Sequence, residues 1–210
     1  MRAEIPSKVL LAGLLFGLLS CAARERLAPL RTVAHVSLER YLGTWYEIAR
    51  FPQRFEKNCA GVTATYGLRK GGGIDVVNRC HRGSLNGPEK VATGRARVVD
   101  PATHAKLEVT FFWPFWGDYW IVDLDPDYRW AAVGAPSRDA LWILSRTSTL
   151  PADVYQGILA RLRAQGFDTS RLERTPQSPN APGPGELGAG PREEVGRSGR
   201  HGERRRDRDQ

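Results

Sequence analysis

The residue types in this chain that could perform covalent or metal chemistry are three cysteines and four histidines among 210 residues. Three thiolates are too few for a four-cysteine zinc site, and His35, His81 and His104 lack the spacing of metal ligands. The sequence also contains no Gly-x-Ser-x-Gly elbow, no Walker phosphate loop and no paired-glycine dinucleotide turn. We therefore predict a protein that is not an enzyme and that has no catalytic residues, no metal site and no cofactor.

The first cysteine, Cys21, follows a segment with the features of an export signal. Behind a positively charged start, Val9–Leu19 is an apolar run that is too short to cross a bilayer. A buried core helix is the alternative interpretation of this run. However, Leu18-Leu19-Ser20-Cys21 resembles the bacterial lipobox, which implies cleavage before the cysteine and attachment of acyl chains to it. We therefore expect residues 1–20 to be a signal peptide and Cys21 to be lipidated, with residues 21–35 as a linker.

The residue after the lipidated cysteine indicates in which membrane the protein is anchored. In lipoproteins of the enteric type, Asp at this position retains the protein in the inner membrane, whereas this chain has Ala22. The resemblance therefore implies a protein anchored by lipid in the outer membrane and facing the periplasm. Several acyl chains give a firm anchor, because each buried methylene contributes about 0.8 kcal/mol and one chain alone binds only marginally.

The formal net charge of +8 raises the possibility of a nucleic-acid partner. Residues 176–210 contain five prolines, seven glycines and no aromatic residue, so we predict a disordered tail. Its Arg204–Arg208 stretch could contact phosphate groups, although a solvated tail is the simpler interpretation. The tail and the signal peptide each carry a net charge of +1, which leaves +6 for residues 21–175. An exported domain with this charge favours anionic lipid headgroups as partners, and we predict no nucleic-acid binding.

Short apolar segments separated by turn signals run through the middle of the chain, which is typical of an antiparallel sandwich or barrel. The segments are Thr44–Arg50, Cys59–Leu68, Ile74–Cys80, Lys90–Val99, Ala105–Phe111, Tyr119–Leu124, Trp130–Gly134 and Leu141–Arg146. A helix is predicted after them, because Pro151 suits a first helical turn and Val154, Ile158 and Leu162 form one apolar stripe. Gly166 is a suitable residue to end this helix.

Three sequence blocks resemble those of the lipocalin family. Gly43–Arg50 is similar to the family's first block, with its Gly-x-Trp at the start of a strand; Asp125–Tyr128 is similar to the second and Leu141–Arg146 to the third. The similarity extends over Val36–Pro176 and is strongest to bacterial outer-membrane members. It implies an all-β fold: an eight-stranded antiparallel up-and-down barrel with one C-terminal α-helix packed outside, formed by a domain at residues 36–175.

In this barrel, strands one and eight would be neighbours. Trp45, two residues after Gly43, would then fill the closed end of the barrel, and Arg146 from the last strand could lie across its indole. A cation–π contact of this kind contributes about 0.5–2 kcal/mol. A core tryptophan and a surface arginine that never meet are the alternative.

The two remaining cysteines are predicted to form a disulfide. Cys59 and Cys80 lie toward the far ends of the second and third strands, which are joined through the Gly71–Gly73 turn. An exported protein enters an oxidising compartment, where such pairs are stable. A reactive thiol is the alternative.

A barrel of eight strands can hold one small ligand. The candidates for the ligand cavity are Tyr66, Phe111, Trp113, Phe115, Trp116 and Tyr119, and the basic candidates for its rim are Arg50, Arg54 and Lys57. We predict a monomer or weak homodimer that binds a fatty acid, lysophospholipid or similar lipid for storage or transport in the cell envelope. A lipocalin-fold enzyme acting on lipid and a structural lipoprotein with a filled barrel are the alternatives.

Overall fold

The computed structural model describes residues 28–179 and 181. The predicted signal peptide, Cys21 and all but the first residues of the predicted tail lie outside the described residues. The eight main strands are β1 (Gly43–Arg50), β2 (Cys59–Leu68), β3 (Ile74–Arg82), β4 (Glu89–Val98), β5 (Lys106–Phe112), β6 (Phe115–Leu124), β7 (Trp130–Gly134) and β8 (Leu141–Ser145). A four-residue helix α1 (Leu38–Tyr41) precedes them and helix α2 (Ala152–Ala164) follows.

Each of the eight strands pairs antiparallel with its neighbour in the chain, and β1 pairs with both β2 and β8. The sheet is therefore a closed barrel, as predicted. The predicted bounds of β2 and β7 agree with the structure, whereas β6 begins four residues earlier than the sequence indicates, at Phe115 instead of Tyr119. The predicted helix is also present, and Gly166 follows it with a φ of 86°, a conformation that favours glycine.

The two ends of the barrel differ in what covers them. The connections β2–β3, β4–β5 and β6–β7 lie at one end together with α1 and Trp45, which we call the closed end. The connections β1–β2, β3–β4, β5–β6 and β7–β8 lie at the other end, which we call the mouth. A 3-10 turn, Arg54–Glu56, forms part of the β1–β2 connection at the mouth.

Side chains alternate between two apolar regions on opposite faces of the sheet. The first region fills the closed half of the barrel interior and includes Trp45, Leu107 and Ile121. The second lies outside the barrel, where Ile158 and Leu162 of α2 pack on the sheet. The helix therefore covers the exterior and leaves the interior to the residues that face inward along the strands.

The chain after α2 returns to the first strand. A two-residue strand β9 (Glu173–Arg174) pairs with β1, and the Gln177 side-chain amide donates to the carbonyl oxygens of Glu47 and Val62. The segment from β9 to Gln177 therefore bridges β1 and β2, so the ordered part of the chain extends past the predicted boundary at residue 175.

Cys59 and Cys80 form a disulfide that joins β2 to β3 on the mouth side of the barrel. Their Cα atoms are 5.5 Å apart, within the usual range for a disulfide. The predicted pairing is therefore confirmed, and the reactive-thiol alternative is wrong.

Candidate functional site

Arg146 and Trp45 meet at the closed end. The guanidinium carbon of Arg146 lies 3.7 Å from the centroid of the fully buried Trp45 ring. The same guanidinium donates to the carbonyl oxygens of Thr44 at 2.9 Å and Arg40 at 2.7 Å. The indole nitrogen of Trp45 in turn donates to the carbonyl of Tyr41 at 2.8 Å. This contact links the end of β8 to β1 and α1 beside the Trp45 ring.

Three tyrosine hydroxyls form the floor of the interior above this contact. The hydroxyl of Tyr119 lies 2.8 Å from that of Tyr41 and 2.9 Å from that of Tyr66. Burial raises the pKa of Tyr66 to about 12 and also raises the pKa of the other two, so all three stay neutral. Sequence reasoning missed Tyr41, because it lies in a four-residue helix whose side-chain direction no strand pattern predicts.

The interior becomes more accessible toward the mouth. In β4, residues at even positions face inward, since Ala96 and Val98 join the interior apolar region. Ala96 is buried, whereas Gly94, Ala92 and Lys90, which are successively closer to the mouth, are only half-buried. Inward-facing residues of the neighbouring strands, Ala64, Asn78, Val109 and Phe111, are also half-buried. These partly accessible and mostly apolar residues face the barrel interior between the tyrosine floor and the mouth.

Three of the six predicted cavity residues face the barrel interior and three do not. Tyr66, Phe111 and Tyr119 face inward with the interior apolar region. The prediction for Trp116 is wrong: its ring lies on the exterior, 4.2 Å below the guanidinium carbon of Arg97, which faces outward on β4. Trp116 lies three residues before Tyr119 on β6, so the alternation of the strand places the two rings on opposite faces, and they could not both line the cavity.

Trp113 and Phe115 are also not cavity-lining residues. They lie at the tip of the β5–β6 hairpin and are 83% and 77% exposed. A side chain at a hairpin tip has no strand beyond it to pack against, so these rings project from the mouth instead of filling the interior.

A buried charged cluster lies on the mouth side of the interior, and it includes Arg50. The Arg50 guanidinium donates to the Glu47 carboxylate at 2.5 Å and to the Glu56 backbone carbonyl at 3.0 Å. The Glu56 carboxylate lies 3.4 Å from Arg50 Nε and accepts from the indole nitrogen of Trp142 at 3.2 Å. Thr175 donates to Glu47 and also accepts from Arg50. The prediction of Arg50 as an exposed rim cation is therefore wrong, because two acidic side chains bury it.

The other rim candidates are exposed. Arg54 and Lys57 both lie in the β1–β2 connection at the mouth. Sequence reasoning missed a further cation, Lys90, whose ammonium donates to the carbonyl of Phe55 at 2.6 Å from the inward face of β4. The alternation of β4 could have predicted that Lys90 faces inward, since it lies an even number of residues from Ala96 and Val98.

One arginine faces two carboxylates in this cluster, so one carboxylate is left without a full counter-charge. Burial, with the nearby Glu47 charge, raises the pKa of Glu56 from 4.5 to about 7. Burial also raises the pKa of Glu47, opposed by Arg50. The folded state thus binds a proton at Glu56 more tightly than the unfolded chain does.

We expect the free energy of unfolding to decrease as the pH rises from about 5 to 7. The folded protein retains a proton on Glu56 in this range, whereas the unfolded chain has already lost it. In Glu56→Gln the decrease should be smaller, because the amide can still accept from Trp142 without titrating. Urea denaturation at several pH values measures this. Glu89→Gln, at an exposed ion pair with Arg79, serves as control, and equal slopes in the two variants would contradict the assignment.

Within residues 28–179 and 181, no group of three or more metal-ligating side chains could hold a metal ion. No helix in the same part of the chain is long and apolar enough to cross a membrane.

Residues 36–177 match the family model for a lipocalin-like domain, which includes the whole barrel, α2 and β9. The chain belongs to the lipocalin family. Lipocalins are typically binding proteins and not enzymes. In this lipocalin, the three sequence blocks that resemble the family form β1, the β6–β7 connection and β8, which meet at the closed end.

Named relatives and solved structures agree with the family. The lipocalin is 43% identical over 157 residues to the outer membrane lipoprotein Blc of Escherichia coli K12, covering 75% of this chain and 88% of that protein. It is 41% identical over 162 residues to temperature-induced lipocalin-1 of Arabidopsis thaliana, covering 73% and 86%. Insecticyanin from the tobacco hornworm Manduca sexta has the same fold, with a TM-score of 0.56 at 22% identity over 73% of this chain and 87% of that one.

Proposed function

We propose that this lipocalin is an outer-membrane-anchored carrier that binds a fatty acid, a lysophospholipid or a similar lipid in the barrel interior. The observation that carries the proposal is the gradient of burial along β4, from the buried Ala96 to the half-buried Ala92 and Lys90. An interior packed solid would bury Ala92, which lies inside the strand, whereas Lys90 lies at the mouth end of β4. Cleavage before Cys21 and lipidation of this cysteine would anchor the protein, with residues 21–35 as the linker and the barrel in the periplasm.

The arrangement of polar groups supports a ligand with one apolar chain and one polar end. Apolar side chains line the walls, and each methylene that a ligand buries there contributes about 0.8 kcal/mol before the costs of association. Lys90, Arg54 and Lys57 lie at the mouth, where they suit a carboxylate or phosphate headgroup. The tyrosine hydroxyls at the floor satisfy one another and leave the deep end of the site neutral.

The test is to extract purified protein with organic solvent and to identify the released lipid by mass spectrometry. We expect a fatty acid or lysophospholipid in stoichiometric amount. Chemical conversion of an added lipid would instead indicate an enzyme. Absence of bound lipid, together with unchanged tryptophan fluorescence on titration with fatty acid, would indicate a filled structural barrel.

A pair of neighbouring substitutions tests whether the ligand occupies the interior. Ala92→Phe adds a ring on the inward face of β4, whereas Thr93→Phe adds the same ring on the exposed outward face. We expect Ala92→Phe to weaken fatty-acid binding at least tenfold, since the ring fills space that the acyl chain needs, and Thr93→Phe to leave binding unchanged. Fluorescence titration measures both, and equal affinities in the two variants would place the ligand outside the barrel.

A further inference from the structure

Four aromatic and apolar side chains at the mouth are far more exposed than their type predicts. Phe112, Trp113 and Phe115 at the β5–β6 tip are 80%, 83% and 77% exposed, and Phe55 in the β1–β2 connection is 55% exposed. We call these four side chains the aromatic rim. The two connections lie on the same end of the barrel, and Lys90 of β4 donates to the Phe55 carbonyl, which places the β1–β2 connection beside β4.

Exposed cations accompany the aromatic rim. Arg54 and Lys57 flank Phe55 in the chain, and Arg82 ends β3 at the mouth. Of the exposed acids at the same end, Glu89 pairs with Arg79, whereas Asp118 and Asp139 have no cationic partner among the described residues and are outnumbered by Arg54, Lys57 and Arg82. Aromatic rings beside unpaired lysine and arginine are the side chains that the interface of an anionic bilayer favours.

The first described residue of the chain, Ala28, also lies at the mouth of the barrel. The carbonyl of Ala28 accepts from Arg138 at 2.6 Å, and Arg138 lies in the β7–β8 connection at the mouth. Cys21 precedes Ala28 by seven residues, a distance of at most about 25 Å in a fully extended chain. A segment of this length allows acyl chains on Cys21 to reach a bilayer at the mouth.

We propose that the aromatic rim docks on the bilayer in which Cys21 is anchored, so that the mouth of the barrel faces the membrane surface. This inference rests on the proposed lipid anchor and adds an orientation to it. A lipid ligand would then pass between bilayer and barrel without crossing water. The aromatic rim binds a phospholipid surface with anionic headgroups, because Arg54, Lys57 and Arg82 carry positive charge beside it.

The test uses the full chain, purified from membranes in its processed form and reconstituted into vesicles of phosphatidylethanolamine and phosphatidylglycerol. Brominated acyl chains quench tryptophan only at close range. We expect them to quench a component of the emission that disappears in Trp113→Phe. The matched control adds Leu68→Trp to Trp113→Phe, since Leu68 is 64% exposed at the closed end, and its new tryptophan should not be quenched.

The outcomes separate the orientation from the anchor. Flotation with the vesicles reports anchoring, and fatty-acid titration reports the interior site. Protein that floats and binds fatty acid but shows equal quenching in wild type and Trp113→Phe overturns the orientation alone. Quenching of the tryptophan in the Leu68→Trp variant also overturns the orientation. A dimer that persists on the vesicles and shields Trp113 from quenching overturns it as well. Protein that does not float overturns both the anchor and the orientation.

Discussion

Replacing Arg146 with alanine is expected to lower the melting temperature by about 10 °C. The guanidinium lies on the buried face of Trp45 and donates to main-chain carbonyls of α1 and β1. A desolvated cation–π contact contributes about 2 kcal/mol, and hydrogen bonds from a charged donor contribute about as much again, part of which water replaces. For a domain of this size, a loss of about 3 kcal/mol lowers the melting temperature by roughly 10 °C.

The structure shows which arginine is a suitable control for this prediction. Arg138 looks like an ordinary loop arginine in the sequence, yet its guanidinium donates to the carbonyls of Ala28, Pro136 and Gln165. Arg95, exposed on the exterior of β4, is the better comparison. Thermal unfolding followed by near-ultraviolet circular dichroism measures both variants. Equal melting temperatures for Arg146→Ala and Arg95→Ala would mean that the contact with Trp45 does not stabilise the closed end.

The sequence predicts the strands well because each is a short apolar run between residues with turn chemistry. Prolines, glycines and aspartates mark the connections, and the apolar residues within the runs recur every second position. The Gly43-x-Trp45 block and the Arg146 block also place strands one and eight together, since they resemble a family in which the barrel closes there. Local composition and one resemblance were sufficient for the architecture.

The face of Arg50 could not be predicted, because an irregularity in β1 breaks the alternation of that strand. A register shift between Glu47 and Ala49 lets Ile48 and Ala49 both join the exterior core, which turns Arg50 inward beside Glu47. A second shift adds a residue on β5 but leaves the alternation of β6 intact, so the outward face of Trp116 follows from its odd spacing from Tyr119. A bulge of one residue reverses every side chain beyond it, and nothing in the residue types marks where it falls.

Contacts between distant segments are the other part that the sequence could not supply. The tyrosine floor joins α1, β2 and β6, and the charged cluster joins β1, the Arg54–Glu56 turn and Thr175. Each of these residues is unremarkable within its own segment. Their chemistry arises only when the barrel closes and brings the segments together.

The charged cluster leads to the second large effect, in the variant Arg50→Leu. Removing one partner of a buried ion pair costs about 3–5 kcal/mol, because the remaining charge is left without compensation. Here both Glu47 and Glu56 would remain, with Trp142 and Thr175 as their hydrogen-bond donors. We therefore expect Arg50→Leu to lose about 4 kcal/mol of unfolding free energy at pH 7.5, as measured by urea denaturation with the disulfide intact.

The pH dependence of this loss distinguishes charge from packing. Burial already raises the pKa of both carboxyls in the native protein, and loss of the Arg50 charge raises them further. A raised carboxyl pKa means that the charge penalty in the folded state grows as the pH rises above the unfolded value of 4.5. Lowering the pH from 7.5 to 5 therefore reduces this penalty in the folded variant. The difference between Arg50→Leu and wild type should then shrink. The triple variant Glu47→Gln/Arg50→Leu/Glu56→Gln should recover most of the stability at pH 7.5, since no buried charge remains. A loss that is the same at both pH values and persists in the triple variant would assign Arg50 a role in packing instead of charge compensation.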